Sequence, residues 1–354
     1  MSDALNKIRS RIDALDDRLA KLLSARARLA QRVGKLKQGA IYRPEREAQI
    51  LRRIARSNRG PLPGRALARI FTEVMSACRA LEDAMSVAYL GPPGTFSQEA
   101  LLKQFGGAVP AVPCSSIDEV FRQVETGAVG YGVVPVENST EGAVGRTLDL
   151  LLLTPAKVCG EVMLPVRQCL MGKEEKQAAI RKVYSHTQSL AQCQQWLSRN
   201  LPHADRIAVV SNAEAAQLAS RQRGAAAIAS RTAAALYGLK VLARNIEDEP
   251  GNTTRFLVIA ENDVVPSGRD KTSLILSTRN VPGAMHALLA PLAANGVSMT
   301  RLESRPARTE RWEYLFYVDL EGHQQDAHVA KALAELKRKA SFLKNLGSYP
   351  AAMT

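Results

Sequence analysis

The chain has 354 residues, 46% of them hydrophobic and 23% charged, which is too long for one ordinary core and suits two or three folded domains. Its 48 Lys+Arg against 34 Asp+Glu give a net charge of +14, and residues 1–85 alone hold 19 of those bases against 9 acids. A basic excess so concentrated calls for anionic partners, which composition alone leaves open among nucleic acid, acidic lipid and small carboxylates. No apolar run reaches 18 residues and no apolar signal core follows Met1, so secretion and membrane spanning are disfavoured and a cytoplasmic protein is expected. The cysteines Cys78, Cys114, Cys159, Cys169 and Cys193 are odd in number and hold no Cys-x-x-Cys pair, and the histidines form no His-Glu-x-x-His pattern. Neither a disulfide framework nor a metal or other cofactor is expected.

From Leu5 to about Lys37, apolar residues recur at three- and four-residue steps without a proline, which predicts one long helix. At 1.5 Å per residue it spans about 50 Å and needs a partner along its length, most simply a second copy of itself. Pro44 opens a second helix through Ile54, and Arg65–Ala84 makes a third. The character changes at Ser86. Strands are predicted at Val87–Gly91, Tyr131–Val136, Val183–His186, Arg206–Ser211, Ala225–Ala229 and Arg255–Ala260, with helices at Ser189–Arg199, Asn212–Gln222 and Arg231–Tyr237. That alternation indicates an α/β sheet domain large enough to divide into two lobes. After the linker 264–270 the order is strand Ser273–Thr278, helix Pro282–Ala294 and strands Val297–Glu303 and Trp312–Leu320. Helix Ala327–Arg338 and strand Phe342–Leu346 complete a ferredoxin-like βαββαβ unit.

On the first helix Arg26 and Lys37 are eleven residues apart, about 20° of net rotation, and so share one stripe. Arg9 lies seventeen residues before Arg26, roughly 25 Å away, and reaches such a pocket only from the other chain of an antiparallel dimer. These residues, with Arg43-Pro-Glu-Arg46-Glu47 and Cys78-Arg-Ala-Leu-Glu82, resemble the all-helical chorismate mutases. The resemblance implies that Arg9 in trans, Arg26 and Arg46 hold the two carboxylates of chorismate. It further implies that Lys37 and Glu82 bond the breaking ether oxygen, with Glu47 on the ring hydroxyl and Cys78 lining the pocket. Glu82 donates there only if protonated.

Three segments put polar groups where strands end, the usual ligand position of open α/β sheets. They are Gly91-Pro-Pro-Gly94-Thr95-Phe96-Ser97, Val134-Pro-Val-Glu137-Asn138-Ser139-Thr140-Glu141-Gly142 and Asn252-Thr-Thr254-Arg255-Phe256. With Tyr184-Ser185-His186-x-Gln188 they resemble prephenate dehydratases. The resemblance implies a two-lobed, periplasmic-binding-protein-like fold with Thr254 as catalytic hydroxyl and Arg255 as carboxylate ligand. Glu137, Asn138, Ser139, Ser185 and Gln188 then line the same cleft. Gln168 stands where relatives often have histidine, so no titrating role is carried there. Asn280-Val-Pro-Gly283-Ala284-Met285 and Glu303-Ser304-Arg305-Pro306 resemble the ACT regulatory domain, which implies a phenylalanine site at Gly283, Ala284, Met285, Glu303 and Ser304.

The expected architecture is therefore multidomain: all-α mutase helices at 1–86, an α/β two-lobed dehydratase domain at 87–265, and an α+β ACT domain at 266–354. The implied protein is a homodimer acting on chorismate and prephenate under phenylalanine inhibition, with no cofactor, nucleic acid or membrane. Two other readings stay open on the residues alone. One is a dehydratase whose N-terminal helices only dimerise or regulate; the other is a non-catalytic amino-acid sensor that binds nucleic acid through its basic helices.

Overall fold

The structure is a computed structural model that describes residues 2–36, 42–82, 85–279, 281–306 and 314–353. Among the described residues, helix α1 (Ser2–Leu36) packs chiefly against α3, with Arg26, Ala27, Ala30 and Gly34 half-buried. Leu5, Ile8, Ile12, Leu15, Leu19, Leu22, Leu29 and Val33 are left between 47% and 67% exposed. Pro44 opens α2 (Pro44–Ser57), and α3 runs Gly64–Arg79. The third helix stops short of the expected Ala84: Leu81 N–H bonds Cys78 O and Glu82 N–H bonds Arg79 O, so Glu82 sits in a turn beyond the helix.

The first lobe contains β1 (Val87–Leu90), α4 (Phe96–Phe105), β2 (Ala111–Cys114), α5 (Ile117–Glu125), β3 (Tyr131–Asn138), β4 (Gly142–Ala143), α6 (Gly145–Leu153) and β5 (Lys157–Pro165). The second contains β6 (Cys169–Gly172), β7 (Lys182–His186), α7 (Thr187–Gln192), α8 (Gln194–Asn200), β8 (Asp205–Val209), α9 (Asn212–Arg221), β9 (Ala225–Ala229), α10 (Arg231–Leu236) and β10 (Lys240–Arg244). The chain then returns to the first lobe as β11 (Thr253–Ala260), antiparallel between β3 and β5. The two sheets have orders β2-β1-β3-β11-β5 and β10-β6-β9-β7-β8. The expected helix Ser189–Arg199 is divided at Cys193, because Asp248 accepts from the N–H groups of Gln195 (2.8 Å) and Trp196 (2.9 Å) and caps α8 as a separate helix.

The C-terminal domain comprises β12 (Asp270–Ser277), α11 (Ala284–Ala294), β13 (Met299–Pro306), β14 (Tyr314–Glu321), α12 (Ala327–Lys339) and β15 (Phe342–Pro350), with sheet order β13-β14-β12-β15. One face of this sheet carries Leu274, Leu276, Val318 and Leu320 into a core with α11 and α12. The other face carries Ile275, Tyr317, Leu346 and Tyr349 into the core of the first lobe, against Leu148, Leu151 and Val158. The C-terminal domain is therefore welded to the first lobe by apolar burial on a full sheet face.

Candidate functional sites in the lobe cleft and on the N-terminal helices

Side chains alternate across a strand, so the ends of β3 and β11 present two different surfaces. Thr254 and Asn138 are cross-strand partners, both buried on the face toward the second lobe. Asn138 Oδ1 accepts from Thr140 N–H (3.0 Å), Thr140 Oγ1 (2.6 Å) and Glu141 N–H (3.3 Å). With its carbonyl so occupied, the amide nitrogen points the other way and donates to Thr254 Oγ1 and Asn252 Oδ1, both at 2.8 Å. Thr254 Oγ1 is thus an acceptor from Asn138, which turns its own proton elsewhere. Ser139 locks the adjacent backbone: its Oγ accepts from Thr253 N–H and its N–H donates to Thr253 O, each at 2.9 Å.

A polar chain continues from this pair into the second lobe. Gln192 Nε2 donates to Glu141 Oε1 (3.4 Å), and Gln168 Nε2 donates to Gln192 Oε1 (3.2 Å) and Ser189 Oγ (3.0 Å). Asn212 Nδ2 also donates to Ser189 Oγ (2.8 Å), while Asn212 Oδ1 accepts from His186 N–H (3.0 Å) and meets Ser185 Oγ (2.9 Å). Gln168 is 1% exposed, and its Oε1 has no hydrogen-bond partner among the described residues. The loop after β1 closes the lobes at another point. Ser230 Oγ donates to Gly94 O (3.2 Å), Tyr237 OH donates to Pro93 O (3.0 Å), and a Cβ on Gly94 (φ +93°) would lie 3.3 Å from the Ala233 Cβ.

Three of the expected cleft residues are placed differently. Glu137 and Arg255 are themselves cross-strand partners, and alternation turns both to the opposite face of the sheet, toward the C-terminal domain. There Glu137 pairs with Arg301, and Arg255 with Glu161 and Asp319. Ser185 is fully buried, its hydroxyl shared between Asn212 and Ile228 O (2.8 Å), so it stands behind Asn212 rather than on the cleft surface. Gln188 lies half-buried in the first turn of α7, where its N–H bonds the His186 ring at 3.3 Å. Asn252, Asn212, Ser189 and Gln192 were not among the expected site residues.

On the N-terminal helices, Arg26 Nη1 lies 2.9 Å from Cys78 Sγ. Glu82 rests against α1, where a Cβ on Gly34 would come within 3.0 Å of the Glu82 Cγ. Glu47 pairs with Arg79, whose guanidinium also bonds Phe105 O and sits 5.2 Å over the ring of Tyr42. Burial pushes the Glu47 carboxyl above its usual range, against the pull of Arg79 and Arg26. Arg79 and Glu82 border a cavity of about 340 Å³ between α3 and the Ala108–Pro110 turn. Arg9 and Arg46 face solvent, and Lys37 lies outside the described residues. Arg26, Glu47, Cys78 and Glu82 are therefore gathered in one chain, while Arg9 is not.

The prephenate dehydratase family matches residues 87–264, chorismate mutase type II matches 8–83, and the ACT domain matches 272–338. A bifunctional chorismate mutase/prephenate dehydratase of Neisseria gonorrhoeae is 53% identical over 349 residues, covering 98% of this chain and 96% of the relative. The chain belongs to the bifunctional chorismate mutase/prephenate dehydratase family. Among solved structures, a prephenate dehydratase of Arthrobacter aurescens in complex with L-Phe aligns with a TM-score of 0.69 and 33% identity, covering 75% of this chain and 90% of that one. A protein described as a novel type of quorum quenching acylase aligns equally well, at 31% identity and a TM-score of 0.69, covering 75% of this chain and 98% of that one. The shared dehydratase–ACT fold accordingly does not fix the chemistry, which has to be argued from the residues of the cleft.

In the ACT domain Gly283 takes φ +77° at the start of α11, with open space around its α-carbon. That conformation favours glycine and brings the backbone to the surface ahead of Ala284 and the half-buried Met285. Ser304 is exposed on the edge strand β13 beside Glu303, and Asn280 lies outside the described residues.

Proposed function

We propose that this chain rearranges chorismate to prephenate on its N-terminal helices and converts prephenate to phenylpyruvate in the lobe cleft. The observation that carries the second step is the fixed direction of the Thr254 hydroxyl, which accepts from Asn138 and keeps its own proton free for a ligand. In the dehydration, the ring carboxylate leaves as carbon dioxide and its bonding electrons move through the ring to expel the hydroxyl, which departs as water after taking one proton. Aromatisation drives the step, so a positioned hydroxyl donor and a cleft that holds the substrate suffice. Asn138 and Ser139 position Thr254, and Gln188 and Asn212 supply donors from the other lobe. No step calls for a metal or redox group.

The mutase step is pericyclic and needs cationic clamps and oriented donors. Arg26 and Arg46 of one chain and Arg9 of a second copy take the carboxylates, Lys37 and Glu82 the ether oxygen, and Glu47 the ring hydroxyl. The bare apolar stripe of α1 supports a homodimer, since a 35-residue helix with exposed leucines on one face is unstable without a partner. Phenylalanine, present in the related dehydratase complex, is the proposed inhibitor at Gly283–Met285 and Glu303–Ser304. No described helix is long and apolar enough to cross a membrane, and we place the enzyme in the cytoplasm. The test is a coupled assay of the purified protein with chorismate, with and without phenylalanine. Chorismate loss with phenylpyruvate formation, reduced by phenylalanine, is expected. Chorismate loss without phenylpyruvate would leave only the mutase, and neither signal would overturn the proposal.

A further inference from the structure

The far side of the catalytic strands carries a set of charges that the dehydration does not use. Glu137 and Arg255 are cross-strand partners on β3 and β11, each the chain neighbour of one member of the Asn138–Thr254 pair. Facing them, Arg301 and Asp319 are cross-strand partners on β13 and β14 of the ACT sheet. The four groups join the sheets twice: Arg301 Nε donates to Glu137 Oε2 at 2.7 Å, and Arg255 Nη1 donates to Asp319 Oδ2.

The rest of the seam fixes the Arg255 guanidinium on every side. Its Nε donates to Glu161 Oε2 (2.8 Å) and its Nη2 to Tyr349 OH (2.9 Å). Glu161 is held in turn by Lys271 Nζ (2.9 Å) and by the N–H of Ala352 (2.9 Å), and Asp319 accepts from Ser273 Oγ (2.5 Å). Arg255, Glu161 and Asp319 are all below 10% exposed, and so balanced a buried network loses several kcal/mol if one pair separates. The two sheets therefore shift together or not at all at this point. Arg301 is also the least satisfied member, since its Nη2 is buried with no hydrogen-bond partner among the described residues. A buried donor without an acceptor is a cost that this arrangement carries, so a shift of β13 that paired it would be favoured.

The position of Arg301 on β13 gives the seam its meaning. It precedes Glu303 by two residues, on the same face of the strand, and Ser304 by three. We propose that Arg301 and Asp319, through Glu137 and Arg255, are the positioning residues that carry the state of the ACT domain to Thr254. A ligand that moves β13 pulls on Glu137 and Arg255, and their neighbours Asn138 and Thr254 lose the 2.8 Å contact that directs the catalytic proton. This rests on the reading of the chain as a phenylalanine-regulated dehydratase. Linkage makes the coupling reciprocal for binding.

Arg301→Gln and Asp319→Asn in the full-length protein separate binding from transmission. The measurements are phenylalanine affinity by titration calorimetry, and dehydratase kcat/KM on prephenate with and without saturating phenylalanine. Both variants are expected to bind phenylalanine within threefold of wild type and to keep uninhibited kcat/KM within about threefold. The inhibition ratio should fall at least tenfold, and Arg301→Lys should recover part of it. Undiminished inhibition in both folded variants overturns the proposal. Loss of phenylalanine binding also overturns it, because Arg301 would then belong to the ligand site. So does loss of uninhibited activity, because the seam would then only support the catalytic strands. A wild-type protein that binds no phenylalanine is a different failure, that of the regulated-dehydratase reading itself.

Discussion

The dehydratase cleft and the mutase helices differ in how much of each a single chain completes. In the cleft, every link from Thr254 through Asn138, Glu141, Gln192, Gln168 and Ser189 to Asn212 comes from one chain, and the lobes are further pinned at Gly94. On the helices, Arg26, Glu47, Cys78 and Glu82 converge, but Arg9 points into solvent along a helix whose apolar face is bare. A sheet domain buries its strands against its own helices, whereas α1, about 50 Å long, leaves most of its apolar stripe uncovered by its own chain. The two chemistries should therefore respond differently to damage at the surface and at the core.

The largest effect expected is from Thr254→Ala. Removing the hydroxyl to which the Asn138 amide donates should lower dehydratase kcat/KM by about 10²–10⁴-fold while mutase activity stays within twofold. Retained dehydratase turnover would remove Thr254 from the site. Next in size is Leu15→Glu with Leu19→Glu, at positions 59% and 54% exposed in the single chain. Single-chain folding has little to lose there, but two carboxylates on the stripe would be buried in any helix pair, at a cost of several kcal/mol. Mutase activity should fall more than tenfold, sedimentation should report a monomer, and dehydratase activity should persist. Equal loss of both activities would erase the contrast between the two regions.

Much of this contrast is legible in the residues. The unbroken periodicity of Leu5 to Val33 describes α1 to within a few residues, and Ala225–Ala229 is read correctly because its five-residue apolar run, bounded by Gly224 and Ser230, is too short for a helix and suits a strand buried on both faces. The strands β2, β4, β5, β6 and β10 are not foreseen. Lys157–Pro165 carries Glu161 in the middle of an otherwise apolar run, a carboxylate tolerable there only because Arg255 and Lys271 come from elsewhere in the chain. The end of α3 is misread because no glycine or proline marks the change to i→i−3 backbone bonds at Leu81 and Glu82. Among site residues, Asn138 and Thr254 follow from the motifs, whereas assigning Glu137 and Arg255 to the same cleft contradicts the period of a strand. Alternation sends the side chains of Glu137 and Asn138, and those of Arg255 and Thr254, to opposite faces of the sheet, and that signal was present in the sequence. Asn212, Gln192 and Arg301 carried no such signal, since each gains its role from a segment far along the chain.

The smallest effect expected concerns a covalently remote tie between the mutase helices and the ACT boundary. Arg52 on α2 donates to Ser267 O (3.1 Å), Ser267 Oγ (2.8 Å) and Arg269 O (3.1 Å). The turn it grips is already rigid: Asp270 accepts from the N–H groups of Ser267 (2.8 Å) and Gly268 (3.0 Å), and Gly268 takes φ +90°. Because the receiving groups are preorganised, Arg52→Ala forfeits the bonds without freeing much compensating motion in the linker. The guanidinium is partly exposed, so water replaces some of what is lost, and the expected cost is about 1 kcal/mol. For the small helical domain that carries Arg52 this is a fall in melting temperature of about 4–8 °C, readable by calorimetry. Both activities should stay within twofold, since Arg52 touches neither the Arg26 cluster nor the Thr254 cleft. A loss of more than fivefold in either activity would mean that the helices and the regulated cleft communicate through this staple, and that the two regions are less independent than their construction implies.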